Sequence, residues 1–565
     1  MKSKKTQHIV QLITVIASVI LVNYIVSFFF VRLDLTSDKR FTLKEETKEI
    51  LEDLDDIVYI RVYLDGQMPI GFQRMRESML ETLDEFRVYA GSNLQFEFVN
   101  PSDEDTETRD KMYQDLYERG LEPTNVQQKD AEGGLAERVL FPGAIISYQG
   151  RGLPVNVLRN NPSYSAEQNL NTSIQSLEYK FIQAIYQLTL KRKPAIAFIE
   201  GNGELDEYET ADITETLAPY YQQHRVSLMG DDTLLLDYDL VIVAGPTEPW
   251  SEADKFALDQ YIMRGGNVLW AMEKVMVNND SLATRGNSFA LMNDANLTDQ
   301  LFTYGVRVNP EVVKDMQCAV IPVNTAPAGQ QAKFSPAPWL YHPLITPPEG
   351  HEITRDLNVI RLKYPAHIDV LQAATGHASK VLLRSSPTAV ALQAPVLVDL
   401  QEVRDQIDPR KYRQGPYNLA VLLEGSFSSV FRNRPVEGYI DSPDFEYLAE
   451  SKKEGKMAVL SDADFLRNEV DVRADGIQMR PLGYDRYSRQ TYGNKEFMVN
   501  LTHYLASNAG LLKIRERDIK LRLLDKQKIR QERLKWQIIN TVLPAVLIIL
   551  LGVAFAFSRK QRYAK

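Results

Sequence analysis

Between Pro194 and Trp270, apolar runs and helical periodicity alternate in an order that few architectures accommodate. Ala195 to Ile199 is five apolar residues in a row, and Glu200-Gly-Asn-Gly-Glu204 breaks the run with two glycines, as a strand-to-helix loop does. Ile213, Leu217 and Tyr221 recur every four residues and predict a helix ending near His224. Leu240 to Ala244 is again continuously apolar, as in a strand covered on both faces, and Gly245-Pro246 stops it. Ser251 with Asp254 predicts an N-cap, Phe256, Ala257 and Tyr261 an inner helix face, Gly265-Gly266 its end, and Val268 to Met272 a third strand. With crossovers nearly always right-handed, this β-α-β-α-β run predicts an α/β domain on a doubly wound parallel sheet.

The chain has 565 residues, 44% of them hydrophobic, enough to build two or three domains with real cores. Lys+Arg 65 against Asp+Glu 75 gives a formal net charge of -10, which argues against nucleic acid as the partner of the soluble part. The single cysteine, Cys318, permits neither an intramolecular disulfide nor a Cys-rich metal site.

Both ends read as membrane spans. Ile9 to Val31 is long enough to cross a hydrocarbon core, which takes roughly 20 helical residues, and it follows Lys2, Lys4 and Lys5 without a cleavage site before Arg32. That pattern is an uncleaved signal anchor. Ile538 to Phe557 is the second span, closed by Arg559, Lys560, Arg562 and Lys565, with Pro544 tolerated inside it. Positive flanks put both termini in the cytoplasm and the residues between Arg32 and Trp536 outside a bacterial inner membrane. Lys526, Lys528, Arg530, Arg533 and Lys535 oppose that rule on the outer side; a helix face near anionic headgroups, or a contact with a membrane partner, accounts for them. Leu512 to Trp536 contains neither Gly nor Pro and reads as a helical stalk.

After the first span, Thr42 and Glu45 are spaced as a capping box for a short helix. A strand at Ile57 to Leu64, a helix from about Gln73 to Ala90 and a strand at Leu94 to Val99 form a second β-α-β unit, thioredoxin-like in order but lacking Cys-x-x-Cys. A hairpin is expected over Gly143 to Leu158 and a helix over Gln175 to Leu190. Beyond Met272, Asn278 to Asn296 and Pro322 to Gly350 read as loops, rich in Asn, Asp and Ser or in Pro. Strands return at Val359 to Lys363, Val381 to Arg384, Leu419 to Leu423 and Met457 to Leu460, and a helix at Lys495 to Ser507.

No Walker A loop and no Gly-x-Ser-x-Gly elbow occurs, and Cys318 stands in no nucleophile context. His342, His351, His367 and His377 share a region but no metal-ligand spacing. No cofactor is expected. What remains is the carboxyl end of the central sheet, where open α/β proteins bind ligands. Three loops would meet there, the last only if its strand joins the sheet: Glu200 to Glu204, Gly245 to Pro249 and Ser461 to Asp464. Their polar residues, Glu200, Asn202, Glu204, Thr247, Glu248, Asp462 and Asp464, would form an acidic rim suited to a cation or a sugar and hostile to phosphate. Acidic residues are also routine in turns and helix caps.

Leu33-Asp-Leu-Thr-Ser-Asp-Lys-Arg-Phe-Thr-Leu43, Phe198-Ile-Glu-Gly-Asn-Gly-Glu204, Asp239-Leu-Val-Ile-Val-Ala-Gly-Pro246, Tyr261-Ile-Met-Arg-Gly-Gly-Asn-Val268 and Val459-Leu-Ser-Asp-Ala-Asp-Phe465, in that order before a terminal span, resemble the GldG family. These are gliding-motility ABC-transporter accessory proteins of Bacteroidota. Members often carry Gly-His-Gly-Glu where this chain has Gly201-Asn202-Gly203-Glu204. The resemblance implies an inner-membrane protein with a large periplasmic part, working with a separate polytopic permease and a cytoplasmic ATPase.

The expected division is a signal anchor over 1–36, a thioredoxin-like α/β domain over 37–190, and a Rossmann-like or amidotransferase-like α/β domain over 191–509. A stalk over 510–536 and a span with a basic tail over 537–565 complete it. The leading functional expectation is a non-catalytic accessory or substrate-binding subunit of an ABC complex for gliding or related envelope export, contacting the bilayer and an envelope protein or glycan. An envelope enzyme acting on glycan or peptide through the rim, and a purely structural anchor, stand beside it.

Overall fold

The computed structural model describes residues 12–19, 21, 43–103, 106–129, 135–158, 165–190, 192–231, 233–324, 331, 333–355, 357–371, 377–404, 408–440, 445–473, 476–506 and 526–563. The chain divides into two units, Leu43–Arg517 and the two ends, Met1–Thr42 with Asp518–Lys565. The fold is mixed α/β, as expected.

The larger unit opens with helix α1 (Glu45–Glu52). Strands β1 (Val58–Val62), β2 (Leu94–Phe98), β3 (Gly143–Tyr148) and β4 (Arg151–Asn156) then form a sheet in the order β2-β1-β3-β4. β1 and β2 are parallel, while β3 runs antiparallel to both β1 and β4. Helix α2 (Ile70–Ala90) links the parallel pair and lays Met75, Met79, Leu83 and Phe86 in one buried stripe, the spacing of a helix with a single inner face. It starts three residues before the expected Gln73, directly after Pro69. Helix α3 (Thr106–Glu118) contributes Leu116 to a small cluster with Tyr63, Phe141 and Ile145.

The single helix expected over Gln175 to Leu190 is two, α4 (Ala166–Gln175) and α5 (Leu177–Thr189), separated at Ser176. A capping box of Ser165 and Gln168 starts α4. Thr42, the expected cap of α1, lies outside the described residues. The Lys44 amide ahead of α1 donates instead to Glu178 on α5.

The second sheet has seven strands. They are β5 (Ala195–Ile199), β6 (Gln222–Val226), β7 (Leu240–Ala244), β8 (Asn267–Ala271), β9 (His377–Arg384), β10 (Asn418–Gly425) and β11 (Gly455–Leu460), in the order β9-β10-β11-β8-β7-β5-β6. β6, β5, β7, β8 and β11 are mutually parallel, whereas β10 and β9 add antiparallel strands at one side. Alternate residues face opposite cores. Ile196, Phe198, Leu240, Ile242 and Leu269 meet α6 (Ala211–Leu217) and α8 (Asn494–Leu505) on one face. Ala197, Val241, Val243, Val268 and Trp270 meet α7 (Glu252–Met263) on the other. Two-sided burial is why these strands read as continuous apolar runs.

Three expectations are corrected here. The helix after β5 ends at Leu217, and Gln222–Val226 is a fourth parallel strand at the sheet edge, too polar to show a strand pattern. Asn278 to Asn296 is no loop: Asn278 caps a helix over Asn279–Arg285, Gly286 ends it at φ 82, and a strand follows over Asn287–Met292. That strand turns Phe289 and Leu291 to solvent, which hides its inner face in the sequence. Pro322 to Gly350 likewise holds most of two strands of a three-stranded sheet, Cys318–Asn324 on Phe334–Ile345, with Ile360–Arg361 as the third. Pro322 stands opposite Pro336, so neither strand needs an amide from the other at that row.

From Lys255 to Met263, α7 is buried all round. Its polar side meets the segments about Ser429 and Leu448, and Tyr304: Asp259 accepts from Ser429 Oγ (2.6 Å), the Val430 amide (3.1 Å) and Tyr304 Oη (2.8 Å), while Gln260 exchanges two hydrogen bonds with the Leu448 backbone.

In the smaller unit, residues 12–19 and 21 are helical, and the rest of the expected first span lies outside the described residues. Helix α9 (Lys526–Tyr563) is continuous through Pro544. Its Glu532–Gln561 stretch is the one helix among the described residues long and apolar enough to cross a membrane. The first half of the expected stalk, up to residue 525, also lies outside the described residues.

Candidate functional site

Because β5, β7, β8 and β11 run the same way, their carboxyl ends open on one rim, and the Ser461 to Asp464 turn does join the other two loops. Strand order reverses between β5 and β7, where a crevice forms in open sheets of this kind. Here the two loops fill it with each other. The Asn202 carbonyl accepts from the amides of Thr247 (3.1 Å) and Glu248 (2.9 Å), and the Leu205 amide donates to Ala244 (2.8 Å). Thr247 Oγ1 donates to the Gly203 carbonyl (2.9 Å). Gly203 has φ 75, and a Cβ on it would stand 2.1 Å from Thr247 Oγ1, so this closure requires glycine.

The rim carboxylates fall into two groups. Glu204 turns back so that Oε2 accepts from the Asn202 amide (2.7 Å), and Oε1 is buried without a hydrogen-bond partner. Burial raises its pKa, and the Asn202 amide offsets only part of that rise. Glu200 and Glu248 are exposed, Glu200 with Arg225 at 3.8 Å.

In the second group Asp462 is buried, and Asp464 and Glu273 are half-buried. Asp462 accepts from the Lys363 amide on Oδ2 (2.9 Å) and from the Asp464 amide on Oδ1 (2.7 Å). Asp464 pairs with Arg467 (3.2 Å) and lies 3.9 Å from Lys363 Nζ. Arg467 also reaches Glu209 (3.3 Å), and Lys363 reaches Glu469 (3.6 Å). Between them sits Glu273, two residues past β8, with Oε2 buried and unpartnered. Burial and then the Asp464 charge push its carboxyl up to about 7. Burial likewise raises Asp462, with Asp464 and Glu273 adding to it.

The rim is therefore a charge-paired network rather than the acidic surface expected, because Arg225, Lys363 and Arg467 are interleaved with the acids. Sequence reasoning missed Glu273, Lys363 and Arg467. Glu273 was findable, since it follows the third strand as Glu200 follows the first, and so was Arg467, three residues after Asp464; Lys363 comes from a segment about a hundred residues earlier and carries no local signal. Gly245, at φ 66, lets the rim close, as a Cβ there would lie 2.6 Å from the Ala463 Cβ.

Elsewhere the expected bystanders stay apart. His342 packs on Tyr364, and His367 lies between Glu311 (2.8 Å) and Asp369 (3.4 Å). Cys318 is half-buried, and burial followed by the Asp315 charge pushes its thiol up to about 11. Among the described residues no group of three or more His, Cys, Asp or Glu could hold a metal ion.

The described residues thus comprise a mixed α/β body whose strand-end loops bond to one another, and a helix, Glu532–Gln561, with the length and apolar composition of a membrane span. The model of a family described as an ABC-type uncharacterized transport system matches residues 193–501, and the chain belongs to that family of transport auxiliary proteins. A domain of unknown function (DUF7088) matches residues 37–147. No curated protein matches the chain. Among solved structures it is similar to the mmIFT52 N-terminal domain, at 14% identity over 58% of this chain and 100% of that one, with a TM-score of 0.31. A protein from Parabacteroides merdae described as thua-like is similar at 9% identity over 56% and 91%, with a TM-score of 0.25. At such scores neither likeness carries an argument.

Proposed function

We propose that this chain is a non-catalytic, membrane-anchored accessory subunit of an ABC transport complex of the gliding-motility GldG type. Most of its mass would be periplasmic, and its partners would be a polytopic permease and, through it, a cytoplasmic ATPase. The observation that carries this reading is the family match over residues 193–501 in a chain that ends in a membrane-crossing helix. Cations at Arg559 and Lys560, in the last turns of that helix after its apolar run, favour a cytoplasmic carboxyl terminus. A division near residue 191 is supported by two separate sheets with two separate cores. The order β2-β1-β3-β4 favours the thioredoxin-like reading of the first, and helices on both faces favour the doubly wound reading of the second. The non-catalytic reading draws on the rim, whose loops spend their polar groups on each other.

The test is to extract the full-length protein from its native membrane in mild detergent and identify what co-purifies. A permease and a Walker-A ATPase in fixed ratio are expected. Recovery of the protein alone, or with envelope proteins only, refutes the proposal.

A further inference from the structure

The strand over Asn287–Met292 reverses the usual order of a half-buried strand. Ser288 and Ala290 face the core beside Val275 and Val398, while Phe289 and Leu291 face solvent. Its two neighbours in a three-stranded antiparallel sheet repeat the choice: Leu397 stands directly opposite Phe289, and Met276 opposite Leu291. These four side chains are between 43% and 58% exposed. Residues of this size present on the order of 200 Å² each, so together they make a contiguous, uncharged patch of roughly 400 Å². Scattered exposed apolar residues are ordinary, whereas a patch of this extent is the size of an interaction surface.

Area and shape select the occupant. A second copy laid face to face on the patch would bury about half of the roughly 800 Å² per partner that a stable dimer needs. Three strands about 4.8 Å apart make the patch about 10 Å wide, with its outward rows about 7 Å apart. That is the footprint of two to three turns of a single helix, whose diameter is about 10 Å. The charged residues that flank the patch in sequence are Asp280, Arg285, Asp294 and Asp399, three acids to one cation, which favours a helix with basic flanks. Beyond Leu291 the same strand leads to Asn293, whose Nδ2 donates to the carbonyls of Pro246 (2.9 Å) and Glu273 (2.7 Å), so the patch is tied to the rim loops.

We propose that this sheet face is the docking site for an amphipathic helix of another subunit of the transport complex. The helix lays its apolar stripe on Phe289, Leu291, Met276 and Leu397 and turns Lys or Arg residues towards the flanking acids. The inference rests on the accessory-subunit reading and adds a contact surface to it.

The experiment places photoreactive benzoylphenylalanine at Leu291 in the full-length protein, irradiates the native membrane and purifies the complex in mild detergent. The expected product is an adduct with a different subunit, whose crosslinked peptide carries apolar residues at i, i+3 or i+4, and i+7 and a net positive charge. Phe289→Lys and Leu291→Lys should each lower recovery of that subunit at least about tenfold. Their thermal midpoints should stay within about 2 °C of wild type, as for other surface substitutions. Tyr117→Lys, at a 65% exposed residue on α3, should leave recovery unchanged. An adduct between two copies, within one chain or with lipid only, no adduct at all, a crosslinked peptide without an apolar stripe, or undiminished recovery in both lysine variants overturns the proposal. Where a lysine variant melts early, the adduct alone decides. Wild-type protein that brings down no other subunit refutes the accessory reading and this inference together; wild-type protein that brings them down without the adduct refutes this inference alone.

Discussion

Replacing Gly245 by alanine tests whether the rim is as tightly closed as its hydrogen bonds imply. Two costs add. The residue sits at φ 66, where an L side chain is disfavoured by about 1–2 kcal/mol. Its methyl group would also lie 2.6 Å from the Ala463 Cβ, with Leu205 at 3.7 Å behind. Ala463 cannot swing aside, because its turn is held by the Asp462 bonds, so an overpacking cost of about 1–3 kcal/mol applies. Gly286→Ala supplies the control, since Gly286 has φ 82 but nothing within 4 Å of a built Cβ. It should show only the backbone cost of about 1–2 kcal/mol. Urea unfolding followed by tryptophan fluorescence is suitable, as Trp250 and Trp270 are buried in the core beneath the rim. Equal destabilisation by the two substitutions would show that the Gly245–Ala463 contact is not a constraint, and the closed rim would have to be abandoned.

Other outcomes follow from single residues. Asp259→Ala strands three neutral buried donors, from Ser429, Val430 and Tyr304, at about 1–3 kcal/mol for each left unsatisfied, and limited proteolysis should cut first in the segment that carries Ser429 and Val430. His503 is fully buried beside Tyr221 Oη (2.7 Å), and burial lowers its pKa from 6.5 to about 4. Its contribution, about 3 kcal/mol, should be present above pH 6.5 and lost as pH falls through about 4; His503→Gln should flatten that limb of a stability-against-pH curve. Cys318 should react with a disulfide reagent at pH 8 about a hundredfold more slowly in the folded chain than in urea, from its smaller thiolate fraction.

What could be read in advance was whatever sat in a locally periodic environment. β5 and β7 begin and end where the apolar runs do, and Ser251 caps α7 through the Asp254 amide (3.1 Å). The failures share a different cause. Gln222–Val226 is an edge strand, exposed at alternate residues and short of apolar side chains. Asn278 and Gly286 looked like loop residues because capping a short helix uses the same chemistry as a turn. Lys255, Asp259 and Gln260 have the composition of a solvated helix face, yet they are buried, Lys255 against Asp299 and the other two against a segment some 170–190 residues further on. The rim shows the same divide. Its three loops were legible from strand ends, whereas Lys363, which lies beside the last of them, arrives from a segment about a hundred residues away.

The place of β11 in the sheet sets a timetable for making the protein. β8 pairs with it along Val268 to Ala271, opposite Met457 to Leu460, so about 180 residues must be added before that edge is covered. At synthesis rates of about 5–20 residues per second, the wait is on the order of 10–40 s. Throughout it, the chain carries Asn267-Val-Leu-Trp-Ala271 as an uncovered edge of strongly aggregation-prone composition. Biogenesis of this chain therefore calls for a chaperone that shields a nascent strand, and a truncation anywhere between residues 272 and 455 should yield insoluble product rather than a smaller folded body.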